Sequence, residues 1–356
     1  MGYPFVLRYL MQVALSNGHI ALSQTIIAFC KNSRKYSVIN LVKSPVGTEA
    51  STSDKTQIIR ILENVGRALQ PLELAQIINS LPKDVVLDEE KLTRFLLLTA
   101  FLDQQAESPS ARRTTIKIYN VFGDDLFFKP QQCLIQINKL ATLKDEYKIS
   151  PAIGRVLPRF GWFVLRVGGF LTYEMMLNKD RLSEKLDQCK TPREAIALLQ
   201  SNPLVESILR EKAVRMYISW IGHPNLGIDV SNGKWDKSLF EMPVDGHVGK
   251  IFSRTGLVSE VIHERKEGSG SRWNVIVASN MRAPIQEVTN KYSDDCVMVD
   301  HGAFQIGINC CPDNLEGMAC DSCPRTPVCQ IKSKIGCKGY CMLRDFCKRN
   351  LTWRAY

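Results

Sequence analysis

Apolar residues recur about every 3.6 positions through most of residues 56–202, which is the spacing of helices that bury one face. Asp88 stands immediately before one such segment, where a side-chain oxygen can cap the first turn. Residues 191–194, TPRE, have the pattern of a capping box with proline in the first turn. Residues 214–222 predict another buried helix, and the segment 272–279, RWNVIVAS, is a weak strand candidate. The pattern therefore predicts an all-α fold.

The N-terminal segments extend this picture. Residues 1–45 are apolar in patches and predict one or two helices ahead of the main body. The segment 43–55, KSPVGTEASTSDK, is polar and turn-rich, and it predicts a linker. The N-terminus lacks the basic leader and small-residue cleavage site of a signal peptide.

The net charge of the chain indicates what kind of partner it binds. The 356-residue chain carries a formal net charge of +10, which favours a polyanion such as nucleic acid. Residues 325–356 hold eight lysines or arginines against one acid, Asp345, and are predicted to contact phosphates. No apolar run reaches the roughly 18 residues of a membrane span. We therefore expect an intracellular protein that binds no membrane, located in the cytoplasm or nucleoid, or in the nucleus of a eukaryote.

The cysteines of the chain form the first candidate functional site. Of the 12 cysteines, eight fall between residues 310 and 347, and without a secretion signal this favours metal binding over disulfides. Four closely spaced thiolates suit a [4Fe–4S] cluster or a zinc ion, and Cys310 is an alternative first ligand. The predicted set is Cys311, Cys320, Cys323 and Cys329. A possible second metal site combines Cys296, Cys337, Cys341 and Cys347.

Three stretches in this order resemble the helix–hairpin–helix DNA glycosylases of the endonuclease III and MutY type. The first is 95–119, FLLLTAFLDQQAESPSARRTTIKIY, which is similar to the helices around that family's DNA-inserting loop. The second is 243–258, PVDGHVGKIFSRTGLV, which is similar to the family's "VDTHV…RT" segment. The third is 299–329, VDHGAFQIGINCC…CDSCPRTPVC, which resembles the family's cluster motif. Together they span most of residues 56–330.

The resemblance implies roles for individual residues. Asp245 falls at the family's catalytic carboxylate, and Gln105 falls where a glutamine fills the gap left by a flipped base. The family's catalytic lysine stands about 18 residues before the aspartate, where this chain has Gly227. Lys212, which lies further upstream, is the candidate amine if 222–240 is an insertion. The further residues predicted to bind DNA are Arg112, Arg113, His247, Lys250 and Arg254.

Two features depart from the family pattern. The first cysteine interval is eight residues long, where the family's usual loop has six. The hairpin glycines are missing from the best-matching segment, 204–216, LVESILREKAVRM. Those glycines let the backbone approach a DNA phosphate closely.

The resemblance implies two helical domains with the active site between them, a C-terminal iron–sulfur loop and extra N-terminal helices. The function it implies is excision of a damaged or mismatched base from double-stranded DNA by a monomeric glycosylase, with or without strand cleavage at the abasic site. The alternatives are an inactive iron–sulfur protein that binds nucleic acid and a relative that acts on RNA or a nucleoside. The predicted segments are 1–45 (N-terminal extension), 46–90 (linker and first helices), 91–220 (helical barrel-type domain with the inserting loop and hairpin), 221–309 (second helical domain with Asp245) and 310–356 (cluster loop and basic C-terminus).

Overall fold

The computed structural model describes residues 41–103, 108–129, 132–133, 181–206, 209–226, 228–268, 271–311, 335, 340–347 and 353–355. Its elements are, in chain order, β1 (Leu41–Pro45), α1 (Thr52–Ile78), α2 (Lys83–Leu87), α3 (Glu89–Leu102), α4 (Ser108–Phe122), α5 (Asp125–Phe128), α6 (Leu182–Asp187), α7 (Pro192–Gln200), α8 (Pro203–Glu206), α9 (Glu211–Gly222), a 3₁₀ turn (Lys237–Leu239), α10 (Gly246–Arg254), β2 (Glu260–Gly268), β3 (Ser271–Ile276), α11 (Ala278–Tyr292), α12 (Cys296–Asn309) and β4 (Trp353–Arg354).

Side-chain caps begin several of these helices where the sequence predicts. Asp88 accepts a hydrogen bond from the Lys91 N–H at the start of α3. Thr191 accepts one from the Glu194 N–H at the start of α7, and the Glu194 carboxylate accepts one from the Lys190 N–H. These caps satisfy N–H groups that have no partner within the helix.

The helix-rich part of the prediction is confirmed, and the structure adds a small sheet beside the helices that the all-α prediction does not include. Its four strands are ordered β1-β2-β3-β4, with antiparallel pairing except between β3 and β4, which are parallel. Val261 and Ile276 lie on the same face of the β2–β3 hairpin and are buried in the core. Further along β2 the chain carries a run of charged residues, 264–267, so only the base of the hairpin packs against the helices.

The region near residue 45 also differs from prediction. Leu41–Pro45 is an edge strand instead of the end of a helix, and it takes in the first residues of the predicted linker. Helix α1 begins at Thr52, earlier than the apolar periodicity indicates, because Ser51 caps it by accepting a hydrogen bond from the Asp54 N–H. Residues 1–40 lie outside the described residues.

The closest helix packing joins α1 to α12. Two glycines permit it: a Cβ at Gly66 would lie 1.8 Å from the Met298 carbonyl oxygen, and one at Gly302 would lie 1.8 Å from the Leu62 carbonyl oxygen. The backbones therefore touch, and the side chains beside the crossing are held in fixed positions.

We expect Gly302→Ala to lower the free energy of unfolding by at least about 3 kcal/mol, because the added methyl group overlaps backbone that cannot rotate away. Urea denaturation of the purified protein measures the change. Gly123→Ala is the control: among the described residues nothing lies within 4 Å of its Cβ, and only its φ of +56° is strained. That variant should lose only about 1–2 kcal/mol. Equal losses in the two variants would contradict the close packing.

A second set of helices is centred on α3, which packs against α4, α6 and α9. Buried Glu90 fastens α6 to it by accepting hydrogen bonds from the backbone N–H groups of Leu182 and Ser183 at 3.0 and 2.8 Å. Arg94 also donates to Glu90. Burial raises the pKa of Glu90, but Arg94 and these hydrogen bonds outweigh it and hold the pKa below its usual value.

Among the described residues, no helix combines the length and apolar character needed to cross a membrane.

Candidate active site

The site is built at the start of α10. Asp245 caps this helix, with Oδ1 accepting a hydrogen bond from the Val248 N–H at 2.9 Å. The helix therefore fixes one carboxylate oxygen and leaves the other directed elsewhere. The N-terminal end of a helix also favours a negative charge.

Lys212 meets the second oxygen. It is the second residue of α9, and its Nζ lies 3.1 Å from Asp245 Oδ2. Its side chain is 44% exposed while that of Asp245 is 6% exposed, so the amine lies on the solvent side of the pair. The Lys212 Nζ also lies 5.5 Å from the centroid of the Phe304 ring. The structure thus brings together the predicted carboxylate and amine, which are 33 residues apart.

Asp245 is held ionised. Its burial raises the pKa, but the charge of Lys212, the imidazole of His247 and the hydrogen bonds from Val248 and Lys212 outweigh burial and set the pKa below its ordinary value. Because Asp245 is buried, its electrostatic interaction with the Lys212 amine is stronger than the same interaction would be in water.

Two close contacts fix the start of α10. A Cβ at Gly246 would lie 2.4 Å from the Ala355 carbonyl oxygen, so the segment that follows β4 packs directly on the first turn. A Cβ at Gly307 of α12 would lie 2.8 Å from His247 Cβ. The half-buried His247 ring packs edge-on against Phe304, with 6.0 Å between ring centroids.

The Asp245–Lys212 pair borders a cavity of about 520 Å³, its open mouth included. Helices α9 and α12 form two of its walls, and α1, α4 and the end of α3 contribute the rest. The lining combines aromatic and apolar groups with several polar ones. The residues that line it are Gln70, Asp103, Arg112, Lys212, Met216, Ser219, Trp220, Pro243, Asp245, Val297, Asp300, His301 and Phe304.

Asp300 and Gln70 are members of this site that sequence reasoning missed. Asp300 stands in an otherwise apolar stretch, VMVDHGAF, and an acid in such a stretch is a usable signal. Gln70 lies on α1 and has no such mark in the sequence.

The predicted DNA contacts near α4 are placed around the same cavity. Arg112 lines it, and Arg113 beside it is exposed. Gln105 lies outside the described residues, in the connection between Asp103 and α4.

The predicted DNA contacts of Lys250 and Arg254 are contradicted by their burial, since they are 0% and 1% exposed. Arg254 donates hydrogen bonds to Cys311 Sγ at 2.9 Å and to the Trp353 carbonyl oxygen at 3.1 Å. The reason is that α10 packs against α12, β3 and β4, so its basic side chains point into the protein.

The first cysteine of the predicted cluster motif is buried. Cys311 follows α12, is 4% exposed, and accepts the hydrogen bond from Arg254. Cys320, Cys323 and Cys329 lie outside the described residues. The neighbouring Cys310 is hydrogen-bonded to Cys341, which lowers the pKa of Cys341. Within the described part of the chain, no group of three or more Cys, His, Asp or Glu side chains is placed to hold a metal ion.

Cys296 does not fit the possible second metal site. Its Sγ donates a hydrogen bond to the Phe240 carbonyl oxygen at 3.1 Å, and burial raises the pKa of its thiol to about 12. In this arrangement its sulfur is a hydrogen-bond donor in the core, and no group of three or more possible metal ligands among the described residues includes it. Neither Cys341 nor Cys347 forms a disulfide with a described residue, and Cys337 lies outside the described residues.

An ionised carboxylate and an amine at the edge of an aromatic-lined cavity can together support substitution at an electrophilic carbon. The carboxylate stabilises positive charge that develops there, and the amine can act as the nucleophile. Comparison of the chain with protein-family models, with curated proteins and with solved structures gave no match in any of the three.

Proposed function

We propose that the protein is a base-excision DNA glycosylase, with Asp245 as its catalytic carboxylate and Lys212 as its amine. The observation that carries this proposal is the 3.1 Å contact between Lys212 Nζ and Asp245 Oδ2 at the edge of the cavity. The net charge of +10 and the three family-like motifs support nucleic acid as the substrate. The finer architecture, two helical domains with the site between them, is part of the same proposal, and walls contributed by both α9 and α12 support it.

In this mechanism the damaged nucleotide leaves the duplex and its base enters the cavity. Breaking the N-glycosidic bond builds positive charge on the sugar, and the ionised Asp245 stabilises that charge. Lys212, a cation in its resting pair with Asp245, first gives up a proton to solvent on its exposed side. The free amine then forms a bond to C1′ while the bond to the base breaks. The base departs with the electron pair and takes up the proton that the newly bonded nitrogen releases. Opening of the sugar ring then leaves a Schiff base on Lys212, from which β-elimination cleaves the strand. If water attacks instead, excision occurs without strand cleavage.

A [4Fe–4S] cluster, or alternatively zinc, held by Cys311, Cys320, Cys323 and Cys329 belongs to the proposal. The observation that bears on the fit is at Cys311, a buried sulfur that accepts a hydrogen bond from a guanidinium. Hydrogen bonds to ligand sulfurs are a usual feature of such clusters. In this role the cluster would hold the C-terminal segment together, and no proton or electron of the excision step passes through it.

The function is tested with a panel of duplexes that carry one oxidised, deaminated or alkylated base each. We expect the wild-type protein to release at least one of these bases and leave an abasic site, detected by alkali cleavage of the labelled strand. Release of no base from any duplex, by protein that binds DNA, would favour the inactive nucleic-acid-binding alternative. Release of a base only from RNA or from nucleosides would favour the other alternative, a relative that acts on those substrates.

The cluster is tested by two serine substitutions of buried cysteines. Cys311→Ser should remove most of the bound iron and the absorbance near 400 nm, because one of four ligands is lost. Cys296→Ser should keep both, because its sulfur is a hydrogen-bond donor to Phe240. Iron analysis and the visible spectrum of the purified variants measure the difference. Iron loss in Cys296→Ser, or a colourless wild-type protein loaded with zinc, would overturn the cluster assignment.

A further inference from the structure

Asp300 is a further carboxyl group in the wall of the cavity beside Lys212. This side chain is 7% exposed, and its Oδ1 makes no hydrogen bond with any residue that the structure describes. Burial first, and repulsion from Asp245 second, raise the pKa of Asp300 well above its usual value, although Lys212 acts in the opposite direction. At neutral pH Asp300 is therefore a neutral carboxylic acid, in a cavity that the ionised Asp245 also lines.

Gln70 brings a second unmatched polar group to the same cavity. It is 7% exposed, and its Oε1 likewise has no hydrogen-bond partner among the described residues. Helices α1 and α12 position these two side chains, and the backbone contacts at Gly66 and Gly302 fix how the helices cross. Burying polar atoms without partners opposes folding, so two of them facing one cavity point to a ligand that completes their hydrogen bonds.

The other walls indicate what kind of ligand fits. Trp220 and Phe304 offer aromatic faces, and Met216 and Val297 add apolar surface. Such walls suit a flat ring. A neutral carboxylic acid offers one O–H donor beside one C=O acceptor, and the amide of Gln70 offers both donors and an acceptor.

We propose that Asp300 and Gln70 recognise the extruded base, and that they select an uncharged base with a hydrogen-bond donor and an acceptor side by side. The lactam edge, N–H next to C=O, of a deaminated base such as uracil or hypoxanthine, or of 8-oxoguanine, has this form. This inference rests on the proposed function, and it names the substrate class of that same site.

The same arrangement rejects cationic alkylated bases such as 7-methylguanine. 7-Methylguanine keeps the N–H next to C=O edge but carries a positive charge on its ring, and a neutral Asp300 does not offset that charge. Ionising Asp300 to do so would place a second buried carboxylate near Asp245, and like charges repel. The cation would also lie near the Lys212 ammonium. Both effects favour an uncharged base.

The first test compares wild-type excision of uracil, hypoxanthine and 8-oxoguanine with that of 7-methylguanine and 3-methyladenine. We expect at least one lactam base to be released about 30-fold faster, in kcat/KM, than either alkylated base. Preference for the cationic bases would overturn the inference and leave the proposed glycosylase function intact. Release of no base from any duplex would overturn both.

Two substitutions of Asp300 give the second test. Asp300→Asn keeps a donor beside an acceptor and should retain kcat/KM for the preferred base within about threefold. Asp300→Leu removes both the donor and the acceptor, and its kcat/KM for the preferred base should fall about 30-fold. Affinity for a duplex with a tetrahydrofuran abasic analogue, which has no base to recognise, should be the same in both variants and in wild type. Loss of that affinity would identify damage to the fold. Equal excision by Asp300→Leu and wild type, or an equally severe loss in Asp300→Asn, would overturn the role of Asp300.

Gln70→Leu should lose about tenfold in kcat/KM for the preferred base and again keep its affinity for the abasic duplex. Gln57→Leu on the same helix is the matched control, since Gln57 is exposed and hydrogen-bonded to Ser53. No difference between the two variants would remove Gln70 from the site.

Stability as a function of pH gives a readout that is independent of DNA. Asp300 is protonated in the folded protein and ionised in the unfolded chain at neutral pH, so the stability of the wild type relative to Asp300→Asn falls as pH rises above the ordinary carboxyl range. The Tm advantage of Asp300→Asn should therefore grow from pH 5 to pH 8, and a constant difference would contradict a neutral Asp300. The charged and titratable groups that share the cavity with Asp300 are Asp103, Arg112, Lys212, Asp245 and His301.

Discussion

Asp245→Asn should reduce base excision by about 10³-fold or more while the protein still binds DNA. The asparagine keeps an oxygen to cap α10, so the helix and the cavity remain. It removes the negative charge that would stabilise the developing positive charge on the sugar. Single-turnover excision on the preferred duplex from the panel measures the effect, and a binding assay on the same duplex measures affinity.

Asp88→Asn is the matched control for this change. Asp88 also caps a helix, by accepting a hydrogen bond from the backbone N–H three residues further along the chain, but it does not line the cavity. Its substitution should leave the excision rate within about twofold of wild type. Full activity in Asp245→Asn would remove the central claim, whereas equal losses in both variants would attribute the effect to helix capping.

Lys212→Gln should abolish covalent trapping on DNA. If the Lys212 amine attacks C1′, borohydride reduces the Schiff base and links protein to DNA irreversibly. Glutamine approximates the length of the lysine chain but has no nucleophilic amine. The trapped complex migrates more slowly on a denaturing gel, and we expect the band to fall below about 1% of the wild-type intensity.

The chain offers a close control in Lys234→Gln. Lys234 is 43% exposed, against 44% for Lys212, and forms an ion pair of its own with Asp187 at 2.7 Å. Trapping should be unchanged in this variant. If trapping persists in Lys212→Gln, another amine is the nucleophile. If wild type excises bases without any trapping, water is the nucleophile, and the contact between Lys212 and Asp245 serves to orient the carboxylate.

The parts of the fold that follow local rules could be predicted from the sequence. Caps at Asp88 and Thr191 depend on residues within one turn, and both are confirmed. The weak strand candidate 272–279 is confirmed in part, since β3 covers Ser271–Ile276. The other strands could not be predicted in the same way, because β1 and β4 come from distant parts of the chain and β2 carries a run of charged residues. Only the complete set of strands supplies the hydrogen bonds that make each segment extended.

The residues of the candidate site likewise include some that could be predicted from the sequence and some that could not. The pair of Asp245 and Lys212 was accessible through motif and spacing, and the structure places the two side chains in contact. Asp300 and Gln70 were not, because their significance depends on which cavity they face and on partners that they lack. Conversely, Lys250 and Arg254 have the residue types of DNA contacts, and only the packing around α10 shows that they are buried.

The contact between α1 and α12 also has a consequence for the order of folding. Ser293, just ahead of α12, donates a hydrogen bond at 2.9 Å to Glu63, 230 residues earlier in the chain. Contacts between residues so far apart form late, because closing a long loop costs entropy before any packing offsets it. Gln70 and Asp300 line the same cavity only after this closure. We therefore expect a partly folded chain to form α9, with Lys212, before the cavity beside it is complete, so that the proposed amine and the proposed base-recognition residues come together late in folding.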